Sequence, residues 1–142
     1  RKIVLITGDL RGIERLSREP RDEFLASHVS VAASERYFER TIGRMIDINY
    51  HLVTESGNPP PADYYQSFVE LGRLGALDPA FAQRIAAASG LRNRIVHEYE
   101  EIDEARIYDA LQSALGEVPE YLRQVNDFLN KQPGDAGGDR VS

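Results

Sequence analysis

Ile3-Val4-Leu5-Ile6-Thr7-Gly8-Asp9-Leu10-Arg11-Gly12-Ile13-Glu14-Arg15-Leu16 is the stretch whose reading decides the fold. Its first five residues suit a buried strand that runs into a Gly-Asp turn. Read through to Leu16, the same residues place Ile3, Ile6, Leu10, Ile13 and Leu16 at steps of three and four, the stripe of an amphipathic helix. No other segment supplies a strand partner, and a lone strand leaves its backbone donors and acceptors unpaired. The helix reading wins. The glycine-bearing part, Thr7 to Gly12, lacks the Gly-Lys-Ser/Thr ending of a phosphate-binding P-loop.

Outward from this stretch the pattern stays helical. After a polar break at Ser17 to Pro20, a long helix is predicted from about Asp22 to Ser56, with Leu25, Val29, Ala32, Tyr37, Ile42, Met45, Ile46, Leu52 and Val53 as apolar positions. Gly57-Asn58-Pro59-Pro60-Pro61 ends it, since three prolines cannot continue the hydrogen-bond ladder. A shorter helix follows from Asp63 to Ala76. Asp78-Pro79 reads as an N-cap with proline at the first helical position. The helix it opens runs to about Glu98, with Gly90 as a weak point or bend. Asp103 starts the last helix, which Pro119 should kink or divide. The expected architecture is an all-α antiparallel bundle of about five helices over residues 1–132, with 133–142 as a disordered tail of Gly, Asp and Pro.

Composition narrows the function classes. The chain has 142 residues with 42% hydrophobic and 28% charged, one soluble globular domain's worth. It has no cysteine, which removes disulfides and thiolate chemistry. His28, His51 and His97 form no ligand pair, so no dedicated metal site and no cofactor are expected. The Ile3 to Ile6 run is too short for a signal-peptide core, and nothing approaches the ~20 apolar residues of a membrane span, so the expected compartment is the cytoplasm. A net charge of −6 argues against a protein that coats nucleic acid, which must neutralise many phosphates. It permits a local grip on one or two. Of the 17 basic residues only Lys2 and Lys131 are lysine, and arginine's planar fork suits phosphate. Genomic base composition explains the same usage equally well.

One segment concentrates reactive groups: Gly90-Leu91-Arg92-Asn93-Arg94-Ile95-Val96-His97-Glu98-Tyr99. An imidazole can take the proton of a ribose 2′-hydroxyl or return one to a departing 5′-oxygen. A guanidinium can hold the phosphate and stabilise its extra charge in the transition state. The residues also fit a plainer account, in which His97 complements the helix dipole and the arginines form a solvated face. Five residues separate Arg92 from His97, about 140° of helical rotation, so they do not stack on one face. Arg94 is the nearer helical neighbour of His97. Convergence of Arg92 and His97 calls for a wrapped side chain, a bent helix, or a site shared by two chains of a symmetric dimer, the arrangement favoured here. The aromatic set Tyr64, Tyr65 and Phe68 suits core packing better than base stacking. Ser27-His28 and Tyr50-His51 have no nucleophile arrangement around them. The acids Glu98, Glu100, Glu101, Asp103 and Glu104 read first as a solvated turn.

Arg92-Asn93-x-x-x-His97-x-Tyr99, with four residues between Arg92 and His97, resembles the Arg-x(4–6)-His signature of HEPN-domain ribonucleases, in which Asn follows the Arg, and the tyrosine two residues on resembles their HepT subgroup. The likeness extends to Ser34 through Ile42, Ile46-Asp47-Ile48 and His51-Leu52 for the second helix of that subgroup. It includes Pro61, Tyr64, Phe68, Leu71 and Leu77 for the third, and Leu91 through Asp103 for the fourth and the cap after it. It covers roughly residues 3 to 130. The resemblance implies a metal-independent endoribonuclease toxin, a homodimeric helical bundle that cuts RNA in a composite cleft. It also implies an MntA-like minimal nucleotidyltransferase antitoxin as partner, which transfers AMP from ATP to the motif tyrosine. Carried over by position, Arg92 and His97 are the catalytic pair, Asn93 a supporting polar residue, Arg94 a phosphate contact and Tyr99 the AMP acceptor. The rival reading is a non-catalytic helical subunit that docks a nucleotidyltransferase.

Overall fold

In the computed structural model residues 1–97 and 104–131 are described, with the backbone alone for residues 91–97. Among the described residues six helices follow one another: α1 (Lys2–Ser17), α2 (Arg21–Ala26), α3 (His28–Glu55), α4 (Tyr64–Leu74), α5 (Pro79–His97) and α6 (Glu104–Asn130). Among the described residues there is no strand, so the Ile3 to Leu16 stretch is a helix as its periodicity demands. No helix among them is long and apolar enough to cross a membrane. The tail expected at 133–142 lies outside the described residues.

The predicted single helix over 22–56 is two helices. Ser27 adopts an extended backbone between them, and its hydroxyl accepts from the Ser30 amide at 3.1 Å, capping α3. The break turns Phe24 into the core, fully buried and 5.2 Å from the Tyr108 ring of α6. It also resets the register, so Val29, counted among the apolar positions, is 80% exposed. Periodicity ran through this point because no Gly or Pro marks it. Gly57, with a φ of 85°, ends α3 in the left-handed region as expected of a glycine exit.

Pro119 neither divides α6 nor ends it. Val118, Tyr121 and Val125 around it are all buried, and their burial outweighs the ~3 kcal/mol a mid-helix proline costs. Helices α1 and α3 run antiparallel. Asp9 of α1 pairs with Arg44 and, at 3.3 Å, with Arg40 of α3, while Glu19 accepts from Ser30 at 2.7 Å near the other end. Gly12 lies directly under the Tyr37 ring, where any side chain would collide. Helices α4 and α5 also run antiparallel, Gly72 against Ala82 and Tyr64 against Gly90. The core between these pairs is closed by α6 through Ile107, Leu111, Val118, Tyr121 and Val125.

Candidate functional site

Helix α5 carries the reactive segment, and its first half fixes where that segment goes. The Asp78 carboxylate accepts from the Phe81 amide at 3.0 Å, and the Asp78 amide donates to Gln124 of α6 at 2.7 Å. Phe81, Ala82, Ile85 and Ala86 then bury one face of the helix. At Gly90 the Tyr64 hydroxyl approaches so closely that a Cβ would stand 2.7 Å from it. The predicted weak point is a tight contact with α4.

Tyr64 is itself held by a buried relay. The Tyr121 hydroxyl of α6 donates to Asn49 of α3 at 2.5 Å, the Asn49 amide donates to Ser67 of α4 at 3.1 Å, and the Ser67 hydroxyl donates to the Tyr64 carbonyl at 2.6 Å. Complete burial pushes the Tyr121 phenol well above its usual pKa, so it stays a donor throughout the physiological range. A satisfied buried network of this kind specifies one arrangement of the helices that it joins. Sequence reading missed Asn49 and Ser67; an amide and a hydroxyl on apolar faces were the available signal. Of the aromatic set, Phe68 is core against Tyr121, Tyr64 is the spacer at Gly90 and Tyr65 is exposed.

Arg92, Asn93, Arg94 and His97 all fall on the last turns of α5, which is unbroken to His97. Positions 92 and 97 therefore stand about 140° apart around the axis and about 7.5 Å apart along it. Helical register puts position 92 in the row of Phe81 and Ala88, and position 97 in the row of Ala86 and Gly90. Tyr99 lies outside the described residues, as do Glu98, Glu100, Glu101 and Asp103. Glu104 opens α6 immediately afterwards and faces Glu35 of α3. Partial burial first, and the Glu104 charge second, raise the Glu35 carboxyl above its ordinary pKa. Negative charge is thus crowded where the chain re-enters the bundle.

Two further features lie nearby. Ser89, one turn before position 93, is fully buried, and its hydroxyl has no partner among the described residues. Between α5 and α6 runs a groove of about 720 Å³ whose walls include Phe81, Arg84, Ala88, Arg106 and Ser113. Among the other histidines, His28 is exposed beside the Ser27 cap, and the His51 Nε2 is buried without a partner among the described residues. No group of three or more His, Cys, Asp or Glu among the described residues is placed to hold a metal.

A family model described as ribonuclease HepT-like matches residues 6–125. A protein of Aphanizomenon flos-aquae named tRNA nuclease HepT is 34% identical over 128 residues, covering 90% of this chain and 87% of its own. A protein of Archaeoglobus fulgidus, named "Putative RNase", is 28% identical over 120 residues, covering 84% of this chain and 88% of its own.

Proposed function

The chain belongs to the HepT-like ribonuclease family, and from that premise we propose that it is a metal-independent endoribonuclease toxin that cuts RNA, with tRNA as the substrate class. The observation that carries the reading is the placement of Arg92 and His97 on the final turns of one continuous α5, in a chain matched by the family across residues 6–125.

In the reaction, a ribose 2′-oxygen attacks the adjacent phosphorus as its proton leaves. The bond from phosphorus to the 5′-oxygen breaks, giving a cyclic 2′,3′-phosphate and a 5′-hydroxyl end. His97 moves the proton at the attacking or the departing oxygen. Arg92 holds the non-bridging oxygens as their charge grows, with Asn93 and Arg94 in supporting contacts. The 140° offset on one helix is the reason to assemble the site from two chains. A two-fold axis that faces two α5 ends brings Arg92 of one copy beside His97 of the other, and both imidazoles into one cleft.

Tyr99 is the acceptor for AMP from a minimal nucleotidyltransferase antitoxin of the MntA type. An adenylated tyrosine two residues from His97 sets a negative phosphate and a nucleoside where the RNA phosphate must enter. Repulsion and obstruction both oppose binding.

The test is digestion of tRNA by the purified protein in EDTA, beside His97→Ala and Arg92→Ala. The expected result is cleavage that survives EDTA and falls by about 100-fold or more in each variant, with unchanged melting. With ATP and the partner nucleotidyltransferase, the protein gains the mass of AMP and Tyr99→Phe does not. Equal cleavage by His97→Ala overturns the catalytic assignment of His97, and absence of cleavage by the wild-type protein leaves the non-catalytic docking subunit as the reading.

A further inference from the structure

Resting on the ribonuclease reading, we propose that the groove between α5 and α6 is a phosphate-binding track for the RNA strand, in which Arg84 and Arg106 hold backbone phosphates beyond the scissile one. Three observations converge on it.

The first is direction. Arg84, Ala88 and position 92 follow at steps of four along α5, and the first two line the groove. The groove therefore continues the helical row that leads to the motif. Eight residues from Arg84 to Arg92 span about 12 Å of helix, the reach of a few nucleotides rather than one.

The second is the state of the two guanidinium groups. Both arginines are exposed, and neither has an ion pair among the described residues. Six of the ten other described arginines are ion-paired: Arg18 to Glu14, Arg36 to Glu39, Arg40 and Arg44 to Asp9, Arg73 to Glu70, and Arg123 to Glu120 and Asp127. The Arg84 guanidinium rests 5.8 Å from the Phe81 ring centre, which holds the plane against the wall while leaving its N–H fork open to a phosphate.

The third is the floor. Ala88, Ala110, Ser113 and Gly116 keep it low between the two helices, and an added Cβ at Gly116 would meet nothing within 4 Å. An extended strand can lie in such a trough.

Acids in the groove set its polarity. Glu120 is held ionised, its carboxyl drawn down to about 2 by hydrogen bonds from Arg123 and Gln124, and its charge is offset by the Arg123 ion pair. Glu117 is next to it in the same half of α6, and Asp109 stands one turn from Arg106. The acids lie mostly towards the end of the groove away from the start of α6, so an anionic strand is admitted from the Arg106 side.

The experiment measures binding of intact tRNA against salt in the His97→Ala background, so that cleavage does not intrude. Arg84→Gln with Arg106→Gln should lower affinity by about tenfold and reduce the slope of log K on log salt by about 1.4, at ~0.7 per phosphate of a single strand. Lysine at both positions should restore the slope. Arg18→Gln with Arg73→Gln, which removes the same charge at distant helix ends, should leave the slope as it was. Equal slopes for the groove pair and the distant pair overturn the track. So does a groove variant that changes the oligomeric mass in sedimentation, since the groove is then a contact between copies. The nuclease reading fails separately, by absence of cleavage in the wild-type protein.

Discussion

The two halves of α5 are built to opposite ends. From Pro79 to Ala86 the helix is capped by Asp78, tied to Gln124 and buried through Phe81, Ala82, Ile85 and Ala86. From Gly90 to His97 it carries two arginines, an asparagine and a histidine, residue types that rarely bury without partners. Between the halves, Tyr64 meets Gly90 and Ser89 lies buried. One rigid element thus serves as beam in its first half and, in the proposed function, as tool in its second. A site on a helix anchored in the core is held more firmly than one on a loop, and the comparison says which substitutions should move stability, which cleavage and which both.

The largest expected effect tests the beam. Ile85 is fully buried in the core, so Ile85→Ala leaves a cavity and should cost about 2–5 kcal/mol in chemical denaturation. Cleavage per folded molecule, measured well below the melting transition, should stay as it was. A variant that melts normally but cuts poorly would show that the first half of α5 shares in the chemistry and would erase the distinction.

The two halves were not equally legible in the sequence. Asp78-Pro79 marked the start of α5, and the structure confirms both cap and first residue, because a carboxylate facing free amides and a proline needing none are local facts. The Arg92 to His97 motif suggested the chemistry that the proposed function takes up, and the 140° offset followed from counting residues. Gly90 was misread because glycine's cost to a helix is local, whereas its reason, the Tyr64 hydroxyl, comes from another helix. The Ser27 break was hidden for the same kind of cause: Phe24 turns inward to meet Tyr108, 84 positions along the chain. Asn49, Ser67 and Tyr121 meet only once three helices have packed. What sequence reading missed is where one element decides the geometry of another.

A middle-sized effect is expected at the joint between the halves. Gly90→Ala gains roughly 1 kcal/mol of helix propensity but sets a methyl 2.7 Å from the Tyr64 hydroxyl. The tyrosine tip must give way, and α5 shifts against α4 just before the motif. Stability should change by less than about 1 kcal/mol while cleavage falls several-fold, since small misplacements of reacting groups are expensive in rate. Restoring cleavage with Tyr64→Phe in the same protein would confirm that the hydroxyl transmits the shift; no restoration would place the defect in the glycine itself.

The smallest effect is also the sharpest at separating beam from tool. Ser89 is completely buried with its hydroxyl unpartnered among the described residues, and a buried unsatisfied hydroxyl costs on the order of 1–3 kcal/mol. If the serine is only part of the beam, Ser89→Ala removes that cost, adds helix propensity and changes volume by little more than one oxygen. The protein should then gain about 1 kcal/mol, a rise of roughly 3 °C in Tm, with cleavage unaltered. A protein that becomes more stable and cuts RNA more slowly would give the opposite answer. It would mean the fold tolerates an unpaired hydroxyl one turn from Asn93 because the site needs it, and the boundary between the halves of α5 would move back by a turn.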